Sequence, residues 1–415
     1  MTSKLDELIS ELCPNGVEYK KIGDIATLVT GGTPKTSYAE YWEGGNIPWM
    51  ASGEVNLGIV SKTEKKITEA GYNSSNTKML PANTVVIALA GQGKTRGKVA
   101  LTKIPLCTNQ SLCGICVDYT VNSKFLYHFL SSKYIELRAI SSGDGTRGGL
   151  NLRIISNFEI PVPPLEVQAE IVRILDTFTE LTADLTAELT ARKKQYEYYR
   201  DALLTFDDNN PLHSLISRYC PNGVDKIKLN EICKIYDGTH STPQYKESGV
   251  KFVSVENIND LYSTTKYISE EDFDKYKIKP QIGDVFMTRI GSIGICNVVD
   301  RDEKLAYYVS LALLRPNTAI INSRYLKYAI ESIHGRKELR KRTLVNSVPI
   351  KINKDDIGKV QLPVPPLEVQ HQIVQILDRF DALCNDLTQG LPAEIEARRK
   401  QYEYYRDQLL TFKRA

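Results

Sequence analysis

The sequence predicts an α+β protein built twice over: two β-rich α/β modules joined by two long helices, which pair as an antiparallel coiled coil about a pseudo-two-fold axis. Three observations predict it. First, strong blocks recur 202 to 207 residues apart: "LISELCPNGV" at Leu8 returns as "LISRYCPNGV" at Leu215, and "QYEYYRDALLTF" at Gln195 as "QYEYYRDQLLTF" at Gln401. Self-similarity on that scale means one structural unit used twice. Second, each half carries several short apolar runs separated by turn residues, the pattern of short strands. Third, each half then enters a long stretch with large apolar residues at alternating three- and four-residue spacing, the seam of a coiled coil.

In chain order, residues 1–160 form the first module and 161–206 the first arm. Residues 207–214 are a linker, 215–362 the second module and 363–415 the second arm. In the first module "KIGDIATLV", "IPWMA", "TVVIALA", "KVALT" and "LCGICV" read as strands, followed by one helix, "SKFLYHFLSSKYIELRAI". The second module repeats the order with "KLNEICKIY", "VKFVSV", "DVFMTRI", "ICNVV" and "AYYVSLALLR", then the helix "SRYLKYAIESIHGRKELRK". A polar loop follows each helix, "SSGDGTRGGLNLR" and "RTLVNSVPIKIN".

The first arm starts after Pro163-Pro164, as a helix start permits, and should run to about Phe206. Ile171, Ile174, Phe178, Leu181 and Leu185 set its seam, which Leu189, Arg192, Tyr196, Tyr199, Leu203 and Phe206 continue after a slip of one residue. Some 40 helical residues span roughly 60 Å. The second arm follows the same seam through Ile373, Ile376, Phe380, Leu383 and Leu387. Gly390 and Pro392 should then break it, because proline lacks the N–H and fixes φ. Ile395, Tyr402, Tyr405, Leu409 and Phe412 resume the seam. Arms kept nearly identical beside modules that differ should meet the same surface twice, each other or two copies of one partner. Tyr196, Tyr199, Tyr402 and Tyr405 are the candidate partner-binding residues, since Tyr is enriched at interface hot spots.

Bulk composition narrows the function classes. A hydrophobic content of 42% and a charged content of 25% are ordinary for a globular chain of 415 residues, and the net charge is only +3. Nucleic-acid binding would therefore rest on local basic faces. No run approaches the roughly 20 apolar residues of a membrane span. "MTSKLDELIS" has no apolar core behind a basic start, so a cytoplasmic protein is expected, its eight cysteines reduced.

One motif points elsewhere. "ALAGQGKT", Ala88 to Thr95, fits a relaxed phosphate-loop pattern. A phosphate loop needs a helix after Gly-Lys-Thr, whose amides cradle the phosphates. Here "RGKVALT" reads as another strand, so the segment is a hairpin, and its counterpart in the second half, "TRIGSIG", has no Gly-Lys-Thr. An NTPase is thus a rival reading, as is a methyltransferase or an adaptor that binds protein or RNA.

The equivalent hairpins and loops of both modules are rich in groups that read DNA. In the first module these are Lys35, Gln92, Lys94, Arg96, Lys98, Asn109, Gln110, Arg147 and Asn151. In the second they are His240, Arg289, Ser292, Tyr308, Ser310, Arg342, Asn346 and Lys351. Arg and Lys suit guanine O6/N7, Asn and Gln suit adenine N6/N7, and phosphates take Arg, Lys and backbone N–H.

The ordered set "GGTP", "IPW", "GQG", "NQS", "GTRGGLN", "IPVPPLEVQ" resembles one half of a specificity subunit of type I restriction-modification systems, and so does "GDVFMTRIGSIG" with "LPVPPLEVQ". "LTADLTAELTA", Leu181 to Ala191, is similar to the tetrapeptide repeat in the central helix of one branch of that family. The resemblance implies two target-recognition domains that each read half of a split, asymmetric double-stranded DNA sequence. It implies two methylation subunits that bring S-adenosylmethionine, and two restriction subunits that add ATP- and Mg-dependent work. It implies no catalytic residue and no cofactor in this chain. In the first module "IALAGQGKTRGKVAL" departs from the usual form.

Overall fold

The computed structural model describes residues 3–91, 95–141, 149–386 and 388–415. It contains two compact units. One comprises residues 1–185 and 395–415, the other residues 186–394.

In the first unit a five-stranded sheet runs in the order Ala26–Thr30, Leu112–Val117, Val85–Ala88, Val99–Thr102, Ile59–Val60, antiparallel except for the last pair. A three-stranded sheet orders Lys65–Ile67, Ile47–Met50 and Cys107–Thr108. The two-residue period of a strand divides its side chains between two cores. Val85 and Ile87 face Phe125, Leu126 and Phe129 of the helix Ser123–Ser132, together with Val167, Ile171 and Leu175 of the arm. Val86 and Ala88 face Met50, Val55, Leu80 and Leu112.

The second unit repeats this plan where sequence similarity is weak. Its four-stranded antiparallel sheet orders Cys233–Asp237, Leu311–Pro316, Val285–Thr288 and Cys296–Val298. Its three-stranded sheet orders Tyr267–Ile268, Val250–Val253 and Leu305–Tyr307. Val285 and Met287 join the helix-side core while Phe286 joins Val253, Leu305 and Tyr307 on the other face. Among the described residues the fifth strand has no counterpart here.

Three sequence expectations are corrected. "AYYVSLALLR" is not one strand: Leu305–Tyr307 and Leu311–Pro316 belong to different sheets. "KIGDIATLV" is a strand, a helical turn Ile22–Ile25 and a second strand, and "KLNEICKIY" breaks in the same way at Leu229–Ile232. The cause is three-residue spacing: Ile22 with Ile25, and Leu229 with Ile232, bury both apolar ends of one turn. Each long module helix is also two helices. Ser123–Ser132 is followed by Tyr134–Ala139, and Ser323–Glu331 by Ile333–Arg340. In the second case Ser332 is extended (φ −65°, ψ 163°) and its hydroxyl accepts the Gly335 N–H at 3.1 Å, starting a new helix.

The first arm is one helix, Leu165–Leu203. The second breaks between Leu367–Asn385 and Leu391–Leu409: Gly390 lies in the break, and Pro392 in the first turn of the following helix, where its missing N–H is tolerated. A Cβ on Gly390 would lie 2.6 Å from the Ala382 carbonyl oxygen. In the unit formed by residues 186–394, Tyr199 stacks on Phe380 with centroids 5.3 Å apart. Cys384, four residues later, feels the charges of Lys193 and Arg192, against burial that pushes its thiol up. Numbers rise on one helix as they fall on the other, so the two run antiparallel. In the first unit Phe178 stacks on Tyr405, also at 5.3 Å. There too Val17 pairs with Arg414: Val17 N–H donates to the Lys413 carbonyl at 2.8 Å, and Ala415 N–H to the Val17 carbonyl at 3.1 Å.

The constant motif "PVPPLEVQ" owes its glutamine to the joint between module and arm. Gln168 is fully buried. Its amide donates to the carbonyls of Pro163 (2.7 Å) and Thr120 (3.0 Å), and its carbonyl accepts the Asn122 N–H at 2.8 Å. Asn122 in turn caps the helix Ser123–Ser132. Gln370 repeats every bond, to Pro365 (2.7 Å), Ile320 (2.9 Å) and Asn322 (2.8 Å).

Candidate nucleic-acid interface

In each unit the loops at one end of the sheets are tied together by backbone hydrogen bonds, and the ties correspond one for one. Leu89 N–H donates to the Ser111 carbonyl, and Arg289 N–H to that of Ser310. Leu150 N–H donates to Leu89, as Ile352 N–H does to Arg289. Asn109 N–H donates to Met50, and Tyr308 N–H to Val253. Gly32 N–H donates to Thr108, and Thr239 N–H to Tyr307. One backbone frame therefore presents four loops in both units. The glycine of "GGTP" and "DGTH" belongs to this frame. A Cβ on Gly31 would come 1.9 Å from the Thr108 carbonyl oxygen, and one on Gly238 2.5 Å from that of Tyr308.

The side chains on the shared frame differ. Leu89 occupies the place of Arg289, Thr30 that of Asp237, and Asn109 that of Tyr308. In the second unit Arg289 pairs with Asp237 and donates through Nε to the Ile352 carbonyl at 3.2 Å. In the first, Trp49 donates its indole N–H to the Gly32 carbonyl at 3.0 Å and meets Trp42 edge-on. The hairpin between Val85–Ala88 and Val99–Thr102 closes through the Gly97 N–H to the Ala88 carbonyl. A strand, not a helix, follows Thr95, so the phosphate-loop reading fails on backbone geometry.

The candidate DNA contacts fall into three groups. Exposed on the loops are Lys35, Gln110, Asn151, His240, Ser292, Asn346 and Lys351. Gln110 accepts the Thr33 hydroxyl, and Asn151 caps the helix Leu152–Asn157. Half-buried are Arg96, Lys98, Asn109, Tyr308 and Arg342. Lys98 holds Asn56 at 2.7 Å, and Asn109 accepts the Ser111 N–H at 3.1 Å. Arg342 is held by Glu338 at 2.8 Å; burial pushes that carboxyl up, but Lys341 and Arg342 hold it below the usual carboxylate range. Interior, against expectation, are Arg289 and Ser310. Both shape the loop frame: the Ser310 hydroxyl accepts the Val255 N–H at 3.2 Å. Gln92, Lys94 and Arg147 lie outside the described residues.

The arm tyrosines also divide. Tyr196 is buried edge-on to Tyr328, and burial pushes its phenol up. Tyr402 shares a hydrogen bond of 2.9 Å with His128 Nδ1. Tyr199 and Tyr405 stack on Phe380 and Phe178. The expectation that these four face a partner is corrected for Tyr196, which is interior. The most exposed of the repeated tyrosines are Tyr198 and Tyr404, 69% and 62% exposed, while Tyr405 keeps one edge in solvent at 38%. The sequence holds the signal, since three tyrosines in a helical four-residue stretch cannot share one face.

The type I restriction modification DNA specificity domain family matches residues 14–192 and 221–397. The chain belongs to that family. It is 33% identical over 306 residues to a type I restriction enzyme specificity subunit of Haemophilus influenzae, covering 70% of this chain and 73% of that one. It is 36% identical over 198 residues to the EcoR124I/EcoR124II specificity subunit of Escherichia coli, covering 46% and 48%. The crystal structure of a type I system S subunit from M. genitalium superposes with a TM-score of 0.58 at 17% identity, over 96% of this chain and 97% of that one. The fold is thus that of the specificity subunits, two related domains with long helices.

Proposed function

We propose that this chain is the non-catalytic specificity subunit of a type I restriction-modification complex, reading a bipartite, asymmetric sequence in double-stranded DNA. The observation that carries the reading is the duplicated loop frame with different side chains: one scaffold, two sets of contacts. Each frame offers polar and basic groups suited to base edges and phosphates. Because the two sets differ, the two half-sites differ. Residues 1–160 and 215–362 are the two readers, 161–206 and 363–415 the arms, and 207–214 a linker. Two methylation subunits, supplying S-adenosylmethionine, and two restriction subunits, supplying ATP- and Mg-dependent steps, complete the assembly in the cytoplasm. Tyr198 and Tyr404 are the repeated aromatic anchors for the methylation subunits.

The test is methylome sequencing of a host carrying this chain with its cognate methylation subunit, against a host lacking the chain. A split motif methylated on adenine in both halves is expected. No new methylation, with the partner expressed and bound, would remove this reading in favour of an adaptor for protein or RNA.

A further inference from the structure

The loop that follows the helix Ile333–Arg340 holds aliphatic side chains in water. Leu344, Val345, Val348 and Ile350 are exposed, Val348 completely. Of the two polar residues among them, Asn346 is exposed and Ser347 is half-buried, its single hydroxyl proton within reach of the carbonyls of Leu344 (2.7 Å) and Pro349 (2.9 Å). The loop is also anchored. Leu344 N–H donates to the Lys351 carbonyl, and Gly291 N–H to that of Ile350, which fixes it beside the hairpin that carries Ser292. An anchored loop that spends its hydroxyl on its own backbone and holds aliphatic groups in water is shaped to cover them with something else.

The surroundings say what. Between Arg336 and Lys354 there are seven cations, Arg336, Lys337, Arg340, Lys341, Arg342, Lys351 and Lys354, and one acid, Glu338. All the cations but Arg342 are exposed. An aliphatic tip within a cationic rim suits a polyanion that carries apolar groups between its charges. Duplex DNA does so in its major groove, where thymine shows a 5-methyl group between phosphate rows. The corresponding first-module loop, "SSGDGTRGGLN", has no aliphatic residue before its leucine.

We propose that Val345 and Val348 are specificity-determining residues that pack on thymine methyl groups in the half-site read by the second module. The proposal rests on the DNA-reading function above and is separable from it. Once the methylated motif is known, the complex of this chain with its methylation subunit is titrated with duplexes in which each thymine of that half-site is replaced in turn by deoxyuridine. The base pair is kept and only the methyl is lost. Binding falls about fourfold for each methyl removed from an apolar contact. Val348→Ser binds the thymine duplex more weakly and no longer distinguishes thymine from uracil; Val345→Ser tests the neighbouring side chain. Val348 is wholly exposed, so folding is not at stake.

Uracil tolerated at every position, a half-site without thymine, or a uracil penalty undiminished in both variants overturns the proposal while leaving DNA reading intact. Loss of methylation-subunit binding in Val348→Ser, without thymine dependence, overturns it too and assigns the loop to that partner. Absence of any specific duplex binding by the wild-type complex would instead refute the function on which the proposal rests.

Discussion

Replacing Gln168 by Met keeps the volume of a buried side chain and removes its polar end. Three hydrogen bonds disappear, to Pro163, Thr120 and Asn122. Their partners are two carbonyls and an amide at a joint where Gln168 itself has no exposed surface. Each lost bond costs about 1 kcal/mol net, and a backbone group left unsatisfied in the interior costs more, so about 3–5 kcal/mol is expected. The site should not recover this by repacking, because the three groups belong to backbone fixed by a helix cap and a diproline. Urea titration with hydrogen exchange, resolved by peptide, is the assay. Protection should drop in peptides spanning 120–130 and 160–172. Gln370→Met should do the same at 320–330 and 362–374. A loss below about 1 kcal/mol at both sites would refute the view that this glutamine holds module to arm.

Four further outcomes are expected. Gly31→Ala should destabilise the first unit, since its Cβ would collide with the Thr108 carbonyl; unchanged thermal unfolding would show that the frame gives way. In the Asp176 carboxyl, burial pushes the pKa up, but hydrogen bonds from His128 and Lys124 more than offset it and hold it below the usual range. Its stabilisation is therefore present above the unfolded value, near 4, and is lost as pH falls through the lower folded value. Asp176→Asn should flatten that acid limb in a series of Tm against pH, and an unaltered limb would discard the assignment. Tyr198→Ala with Tyr404→Ala should weaken pull-down of the methylation subunit more than Tyr196→Ala does at equal folded fraction; the reverse order would return the docking role to Tyr196. Deleting Leu185 to Glu188 removes about 6 Å of helix and should shorten the spacer of the methylated motif without altering either half-site, which methylome sequencing reads directly.

The repeat and the arms were legible because they rest on spacing, and spacing survives in sequence. Gly390 and Pro392 marked the break by backbone chemistry alone. The hairpin after Ala88 was legible from the short apolar run that follows Thr95. What escaped depends on partners distant in the chain. Gln168 gives no sign of its burial in the sequence, because its partners Thr120 and Asn122 lie 48 and 46 residues away. Arg289 reads as a DNA contact until Asp237 and the Ile352 carbonyl claim its guanidinium. The helical turn at Ile22–Ile25 was hidden because Gly23 and Asp24 interrupt an otherwise strand-like run. Tyr196 and Tyr198 differ in fate although they are two residues apart, since a helix turns them to different faces.

The pairing of Val17 with Arg414 has a consequence for synthesis. Residues 186–394 form a contiguous unit, whereas the unit that begins the chain also needs residues 395–415. The first half to leave the ribosome is therefore the last to be completed. It must wait, with part of its apolar core uncovered, until Tyr402, Leu409 and Leu410 arrive to close it. A chain stopped at Glu394 should show native protection in the second unit alone. Until residues 395–415 are made, that side of the first unit's core remains an exposed apolar surface open to association.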